Sequence, residues 1–411
     1  MTRLSIFCLI AALLAAADPE PRWRVLNHAA HDAIQAKDYA KLRDTLLQLK
    51  PLLPGNPTIL YNLAAAEARL GNNSAALAGL RNLSRAGLIY DFAADDDFAS
   101  LRSTPDFAAI LRQVEANKKS VSHSIPAFTL AGPDLIPEDI AYHAKTRRFL
   151  IASVRKAKII ETDGQATSDF AKTDWPVLAL RIDARRAILW AATGWLPQCE
   201  HCSAADKDRA ALLAFDLDSG ALRRRIESPV KGLLGDMTIS RAGDLYVSEG
   251  IHGAVLRLAA GASQLQRLDP PGEFPSPQTP ALSADEKTLY VPDYVRGIAA
   301  INLASRAVRW LQPADGIAAS GIDGLYVSGD SFIAVQNGIT PARIVRFSLD
   351  LHHQEILEAN APYLGQPTHG AIAGNTFYFL ANTGWDQYDD SGKKRPEAPP
   401  VISTVRRIAL Q

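Results

Sequence analysis

GDMTISRAGDLYVSEGIHGAVLRL, residues 235–258, decides the fold. It opens on a polar head at Gly235-Asp236, runs through a short apolar strand and turns at a Gly/Asp/Arg cluster around Arg241–Asp244. A second apolar strand then climbs to Glu249 before a third begins. Short apolar runs separated by such turns form antiparallel strands. The phrase recurs as PEDIAYHAKTRRFLIASVRKAKIIET at 137–162, SPQTPALSADEKTLYVPDYVRGIAAINL at 276–303 and GIDGLYVSGDSFIAVQNGITPARIVRFSL at 321–349. A weaker copy, VLALRIDARRAILWAATGWL, occupies 177–196, and a truncated one, PTHGAIAGNTFYFLANTGWD, occupies 367–386. From Asp236 to Gln278, Asp323 and Thr368 the steps are 42, 45 and 45 residues. That period belongs to the four-stranded blade of a β-propeller, roughly 40–45 residues each, so six copies predict six blades over 123–411. The fold class is mainly β, a six-bladed β-propeller with an N-terminal α-helical domain.

Closure of such a ring is also readable. HSIPAFTLAG, from His123, has strand character but precedes the first inner strand, while VISTVRRIAL ends one strand short of a complete sixth blade. Residues 125–130 are therefore expected beside 401–408, which removes an exposed sheet edge.

With 44 basic and 44 acidic residues and 47% apolar content, nothing in the composition marks a nucleic-acid partner or a disordered chain. Residues 1–17 carry Arg3, an apolar run from Leu4 to Leu14 and Ala15-Ala16-Ala17, the layout of a secretory signal peptide. The run is shorter than the ~20 residues a spanning helix needs, so no stable membrane span is expected and the protein should be exported, to a periplasm or beyond the cell. Cys199 and Cys202 are the only cysteines after that segment, and in an oxidising compartment they should form a disulfide.

Residues 22–118 change register to helical spacing: Trp23, Leu26, Ala30, Ile34, Tyr39, Leu42 and Leu46 fall near a helical repeat. PGNPTILYNLAAAEARLGNNSAALAGLRNL, from Pro54, resembles a tetratricopeptide repeat. Tyr61, Asn62, Leu63, Ala64, Ala68, Gly71 and Ala76 match its large and small packing positions. Two readings stay open: a groove that recruits a protein or peptide partner, or a helical cap that only packs on the propeller.

In a propeller blade the innermost strand begins, and the second strand ends, on the same face of the disc, so these tips converge on one mouth. Inner-strand heads bring Glu138, Asp139, Asp236, Gln278, Thr279, Asp323, Thr368 and His369 there. Second-strand ends bring Ser153, Arg155, Glu249, Asp293, Tyr294, Arg296, Asn337, Asn382 and Trp385. Acids outnumber bases in this set, and buried acids of one sign call for a cation.

At these heads the chain resembles the gluconolactonase/regucalcin/luciferin-regenerating-enzyme family over about residues 125–411. The resemblance implies one divalent cation, Ca²⁺ first and Zn²⁺ or Mn²⁺ as alternatives, held by Glu138, Asp236, Gln278 and Asp323. Glu138 and the Asp323-Gly324 pair match the family motif. Gln278 stands in place of an Asn, and Gly235 occupies the second Asn position, with Asp236 one step later. The family chemistry implies metal-dependent hydrolysis of a lactone or similar small ester, with Asp323 as general base and Asp236 beside it as the second catalytic acid. Arg155, Arg296, Asn337, His369, Asn382 and Trp385 are the substrate-binding candidates. The other function class is a non-catalytic binding or scaffold propeller whose helical domain recruits a partner.

Overall fold

The structure, a computed structural model, describes residues 20–132, 134–398 and 401–410. The signal-like segment 1–17 lies outside the described residues. Among them, no helix is long and apolar enough to cross a membrane.

Helices α1 (Arg22–Gln35), α2 (Tyr39–Leu49), α3 (Pro57–Arg69), α4 (Asn73–Arg85) and α5 (Pro105–Asn117) form the N-terminal unit. Their starts carry local signals. Asn56 accepts from the backbone N–H groups of Thr58 and Ile59 ahead of Pro57, and Thr104 accepts from Phe107 ahead of Pro105. A side-chain cap beside a proline at the first helical position satisfies donors the helix leaves open. Gly71, at φ +81°, takes the left-handed turn that ends α3. Gly79 lets α3 and α4 close up, since a Cβ there would lie 3.0 Å from that of Ala64. Phe92, Phe98 and Phe107 fill the core of this unit, each worth roughly 1.5–3 kcal/mol by burial.

Six antiparallel sheets follow in chain order. Their inner strands are Pro137–His143, Val177–Asp183, Leu234–Ile239, Ala281–Leu282, Ile322–Ser328 and Gly370–Ala373. In blades one, two, three and five the pairing of inner and second strands slips at the head of the inner strand, between Pro137 and Ile140, Val177 and Ala179, Leu234 and Asp236, and Ile322 and Gly324. A bulge bends the strand and re-aims the side chains around it. This one recurs where Glu138, Asp139, Asp236 and Asp323 stand.

Ring closure follows the expectation. Ile125–Thr129 pairs antiparallel with Thr404–Ala409, with Ile125 opposite Arg407 and Thr129 opposite Thr404, completing the sixth blade. Val121–Ser122 adds a short fifth strand to blade five, opposite Ala359 and Glu358. Cys199 and Cys202 are joined by a disulfide.

The helical unit sits against the mouth-face loops of blades four and five. Arg296 Nε donates to Leu52 O (2.8 Å), Asn56 Nδ2 to Val295 O (2.7 Å) and Ile89 N to Thr340 O (2.9 Å). The fully buried Arg343 donates through Nη1 to Ala86 O (2.5 Å) at the C-terminal end of α4, where the helix dipole favours a cation.

Candidate functional site

His369 is the hub of the mouth. Its Nε2 lies 2.6 Å from Asp236 Oδ1 and its Nδ1 lies 2.8 Å from the carbonyl oxygen of Glu138. With an acceptor on each side, both ring nitrogens carry hydrogens, so the ring is an imidazolium. Burial works against that charge, yet the carboxylates of Asp236 and Asp323 outweigh it and hold the pKa well above the ordinary histidine value. Thr279 Oγ1 donates to the same Asp236 oxygen at 2.5 Å.

Two carboxylates stand around this pair. Trp385 Nε1 donates to Glu138 Oε2 (2.6 Å), leaving Oε1 at 4.0 Å from His369 Nδ1. Asn337 Nδ2 donates to Asp323 Oδ2 (2.6 Å), leaving Oδ1 at 4.0 Å from His369 Nε2. Asn337 is itself oriented by Tyr294, whose hydroxyl donates to its Oδ1 at 2.6 Å. Burial first, and the neighbouring carboxylates after it, push Glu138 up to about 8 and Asp323 up to about 6, although the His369 charge pulls both down. Three carboxylates thus face one imidazolium, an arrangement short of positive charge. Asp139 adds nothing to the deficit, because its Oδ2 accepts from Arg181 Nη1 at 2.7 Å and from the Leu180 backbone at 2.7 Å.

Ligand atoms of Glu138, Asp323 and His369 lie within 4.8 Å of one another, a candidate metal site. The chemistry of the set fits a cation through its carboxylates. Glu138 Oε1 and Asp323 Oδ1 have no hydrogen-bond donor among the described residues, and both belong to buried acids short of a counter-charge. His369 can offer a lone pair only by releasing a proton and the bond that goes with it, from Nε2 to Asp236 or from Nδ1 to the Glu138 carbonyl. In the arrangement seen it balances charge.

The sequence candidates divide clearly. Glu138, Asp236, Asp323, His369, Asn337 and Trp385 come together. Gln278 turns its amide onto Ser276, donating to O (3.2 Å) and Oγ (3.1 Å). Arg155 donates to Gln198 O (2.9 Å) and covers the Tyr388 ring, 4.6 Å from its centroid. Arg296 is held by Leu52 and by Glu273, its Nη1 2.9 Å from Oε1, so it ties the helical unit to blade four. Asn382 packs beside Gly365, where a Cβ would come within 2.6 Å of its Oδ1. Arg181 and Tyr326 also belong to this region, and nothing in the strand-head pattern marks either. Tyr326 Oη accepts the backbone N–H of Gly370 at 2.7 Å, next to the hub histidine. Their signal is position alone, on inner strands facing the channel.

A cavity of about 290 Å³ opens above these groups, lined by Glu138, Tyr294, Asp323, Asn337, Thr368 and Trp385 among others. It is of the size that takes a small ring.

The architecture defines the class: a six-bladed β-propeller with acids converging at one mouth and a helical unit docked beside it. The sequence matches no protein-family model and no curated protein. Among solved structures it is similar to a luciferin-regenerating enzyme, at 15% identity and a TM-score of 0.50, covering 69% of this chain and 95% of that one. A regucalcin from Agrobacterium tumefaciens, described as a calcium-binding protein, shares 16% identity at a TM-score of 0.49, over 71% of this chain and 98% of that one. The PQQ-bound aldose sugar dehydrogenase of Streptomyces coelicolor shares 13% at 0.46, over 71% and 98%. At 15% identity the likeness to the luciferin-regenerating enzyme bears on the fold alone, and it agrees with the propeller.

Proposed function

We propose that this chain is an exported hydrolase of a lactone or similar small ester, acting at the propeller mouth with one divalent cation. One observation carries the reading. Two carboxylates, the largely buried Glu138 and the buried Asp323, each turn an unpartnered oxygen toward the same spot beneath a small cavity, with His369 the one cation hydrogen-bonded within this group among the described residues. Glu138 and Asp323 would hold the cation, with Asp236 in reach behind His369, and oxygen donors of this kind suit Ca²⁺ ahead of Zn²⁺ or Mn²⁺. When bound, such an ion supplies Lewis-acid polarisation of a carbonyl and a more acidic water.

The chain's own residues account for the rest. Burial raises Asp323 to about 6 in the metal-free protein, and a cation beside it would lower that value, so the carboxylate is ionised and able to accept a proton at neutral pH. With Oδ1 turned to the cation, Oδ2, which Asn337 holds in place by donating to it, is the oxygen that takes the proton from water. The water oxygen bonds to the acyl carbon, the ring C–O bond breaks, and the departing oxygen receives the proton held at Asp323. One water is consumed and one hydroxy acid is formed. Trp385 pins Glu138 and forms a flat wall of the cavity. The signal-like N-terminus and the Cys199–Cys202 disulfide support an exported location.

The test measures metal content of the purified full chain and lactone ring-opening by pH-stat with D-glucono-1,5-lactone. Asp323→Asn should lower turnover about 100-fold or more while the protein stays folded. Failure of the chelated protein to take up Ca²⁺, Zn²⁺ or Mn²⁺, or wild-type turnover in Asp323→Asn, overturns the reading.

A further inference from the structure

A second cavity, about 490 Å³, lies between the helical unit and the mouth-face loops of blades four and five. Asn27 and Thr58 from helices α1 and α3, and Tyr90 from the loop after α4, form one wall. Tyr294, Ser320 and Thr340 form part of the other. Tyr294 lines both this cleft and the mouth cavity, and its hydroxyl begins the chain through Asn337 to Asp323. The two spaces are neighbours on either side of one tyrosine.

Two features point to a ligand. Among the described residues, no charged side chain lines the cleft. Its polar groups are amides and hydroxyls, and some stand without partners. Ser320 is 3% exposed, yet its Oγ makes no hydrogen bond among the described residues, and the Tyr90 hydroxyl makes none either. Each of these hydroxyls is therefore a free donor and acceptor that a ligand group in the cleft can pair with. Tyr90 is held rigid, its ring stacked on Phe92 at 5.6 Å and tilted against Tyr61 at 5.1 Å. Rigid aromatic surface beside neutral donors and acceptors suits an uncharged, hydroxylated ring, whose apolar faces cover aromatic carbon while its hydroxyls pair at the edge.

We infer that this cleft is a second substrate subsite built by the helical unit, and that the substrate is a two-ring molecule. Its lactone lies in the mouth and a neutral hydroxylated ring, of the glycosyl type, lies between Tyr90 and Tyr294. The helical unit then selects substrate length. This inference rests on the hydrolase reading for its catalytic half, and on the cleft alone for its binding half.

The experiment compares D-glucono-1,5-lactone with lactobiono-1,5-lactone, which carries a galactosyl ring on the same lactone, and separately titrates lactose by ligand-observed NMR. Wild type should prefer the two-ring lactone about tenfold in kcat/KM, chiefly through KM. Ser320→Ala and Tyr90→Phe, which keeps the ring stacking, should each reduce that preference. Thr58→Trp, which fills the cleft from an exposed helix position, should abolish it, with the single-ring rate unchanged within twofold. Lactose should bind wild type and not Thr58→Trp. If neither lactone opens but lactose binds in this Thr58-dependent way, the subsite stands and the hydrolase reading falls. If D-glucono-1,5-lactone is hydrolysed, equal efficiency on both lactones with no lactose binding overturns the subsite and leaves the hydrolase reading intact. Absence of both hydrolysis and lactose binding overturns both.

Discussion

Glu138 and Asp323 are acids that the folded protein holds against their own ionisation. Both folded pKa values, about 8 and about 6, lie above the unfolded values, because burial penalises the charged form. The folded state therefore binds more protons between pH 4 and 8, and their contribution to stability is fully present below pH 4. It is lost as pH rises through 6 and then 8. The metal-free protein should melt at progressively lower temperature across that window, and Glu138→Gln should flatten the upper part of the slope. At pH 8 we expect the substitution to stabilise the metal-free protein by about 1–3 kcal/mol, since it removes an uncompensated buried charge. Scanning calorimetry at pH 5, 7 and 8.5 measures this, and an unchanged slope in Glu138→Gln would count against the charge deficit at the mouth. The neighbouring Asp139–Arg181 pair answers in the opposite sense. Arg181→Met strands a fully buried aspartate and should cost about 3–5 kcal/mol in urea unfolding. The acids of these two clusters were legible in the sequence because the repeat places each at an inner-strand head. Arg181 was not, since an arginine in mid-strand gives no sign of the carboxylate it meets in the preceding blade. Gln278, Arg155 and Arg296 occupy the expected tips, but their side-chain directions are set by bonds to Ser276, Gln198, Leu52 and Glu273, and no repeat period encodes those partners.

At the scale of the element, the repeated bulge decides how strand heads become a site. The sequence showed Gly235 where an amide was expected and Asp236 one position on. The structure shows the slip between Leu234 and Asp236, which leaves Asp236 facing His369. A bulge has no fixed sequence mark beyond an occasional glycine, so the re-aiming was not readable in advance. The docking of the helices depends similarly on one buried side chain. Arg343 carries bonds to Gln336 Oε1 (2.7 Å) and Ala86 O, and burial lowers its pKa to about 10. Arg343→Met leaves both acceptors unpaired and should cost about 1–3 kcal/mol. Hydrogen exchange should quicken at the end of α4 and in blade five's Ile344–Phe347 strand segment while the mouth is unaffected. The Cys199–Cys202 loop is an element of another kind, closing only a short turn away from the mouth residues. The double serine variant should keep wild-type metal uptake and lactone turnover, and a loss of either with the fold intact would give the loop a functional part.

For the whole molecule, the decisive feature is how the ring is shut. Blade count and closure could both be read from the chain, because a 42–45-residue period and an unpaired strand at each end leave few other arrangements. The seat of the helical unit over blades four and five could not, since it rests on backbone carbonyls such as Leu52 O and Ala86 O that carry no residue identity. Closure is also where the molecule is most exposed to failure. Among the described residues, the outer strand Ile125–Thr129 is the one segment from the front of the chain in blade six, and Arg406 reaches back to Ser124 through Oγ (2.7 Å) and O (2.9 Å). Without it, Thr404–Ala409 would present an unpaired edge and blade six would lose its covering strand. A chain shortened to begin at residue 120 keeps this strand and should unfold in one cooperative transition by circular dichroism. One beginning at residue 131 should lose that transition and aggregate, although the two differ by eleven residues distant from the mouth. Equal, cooperative melting of both would mean that the ring holds without its closing strand, and that the fold is secured by contacts between inner strands alone.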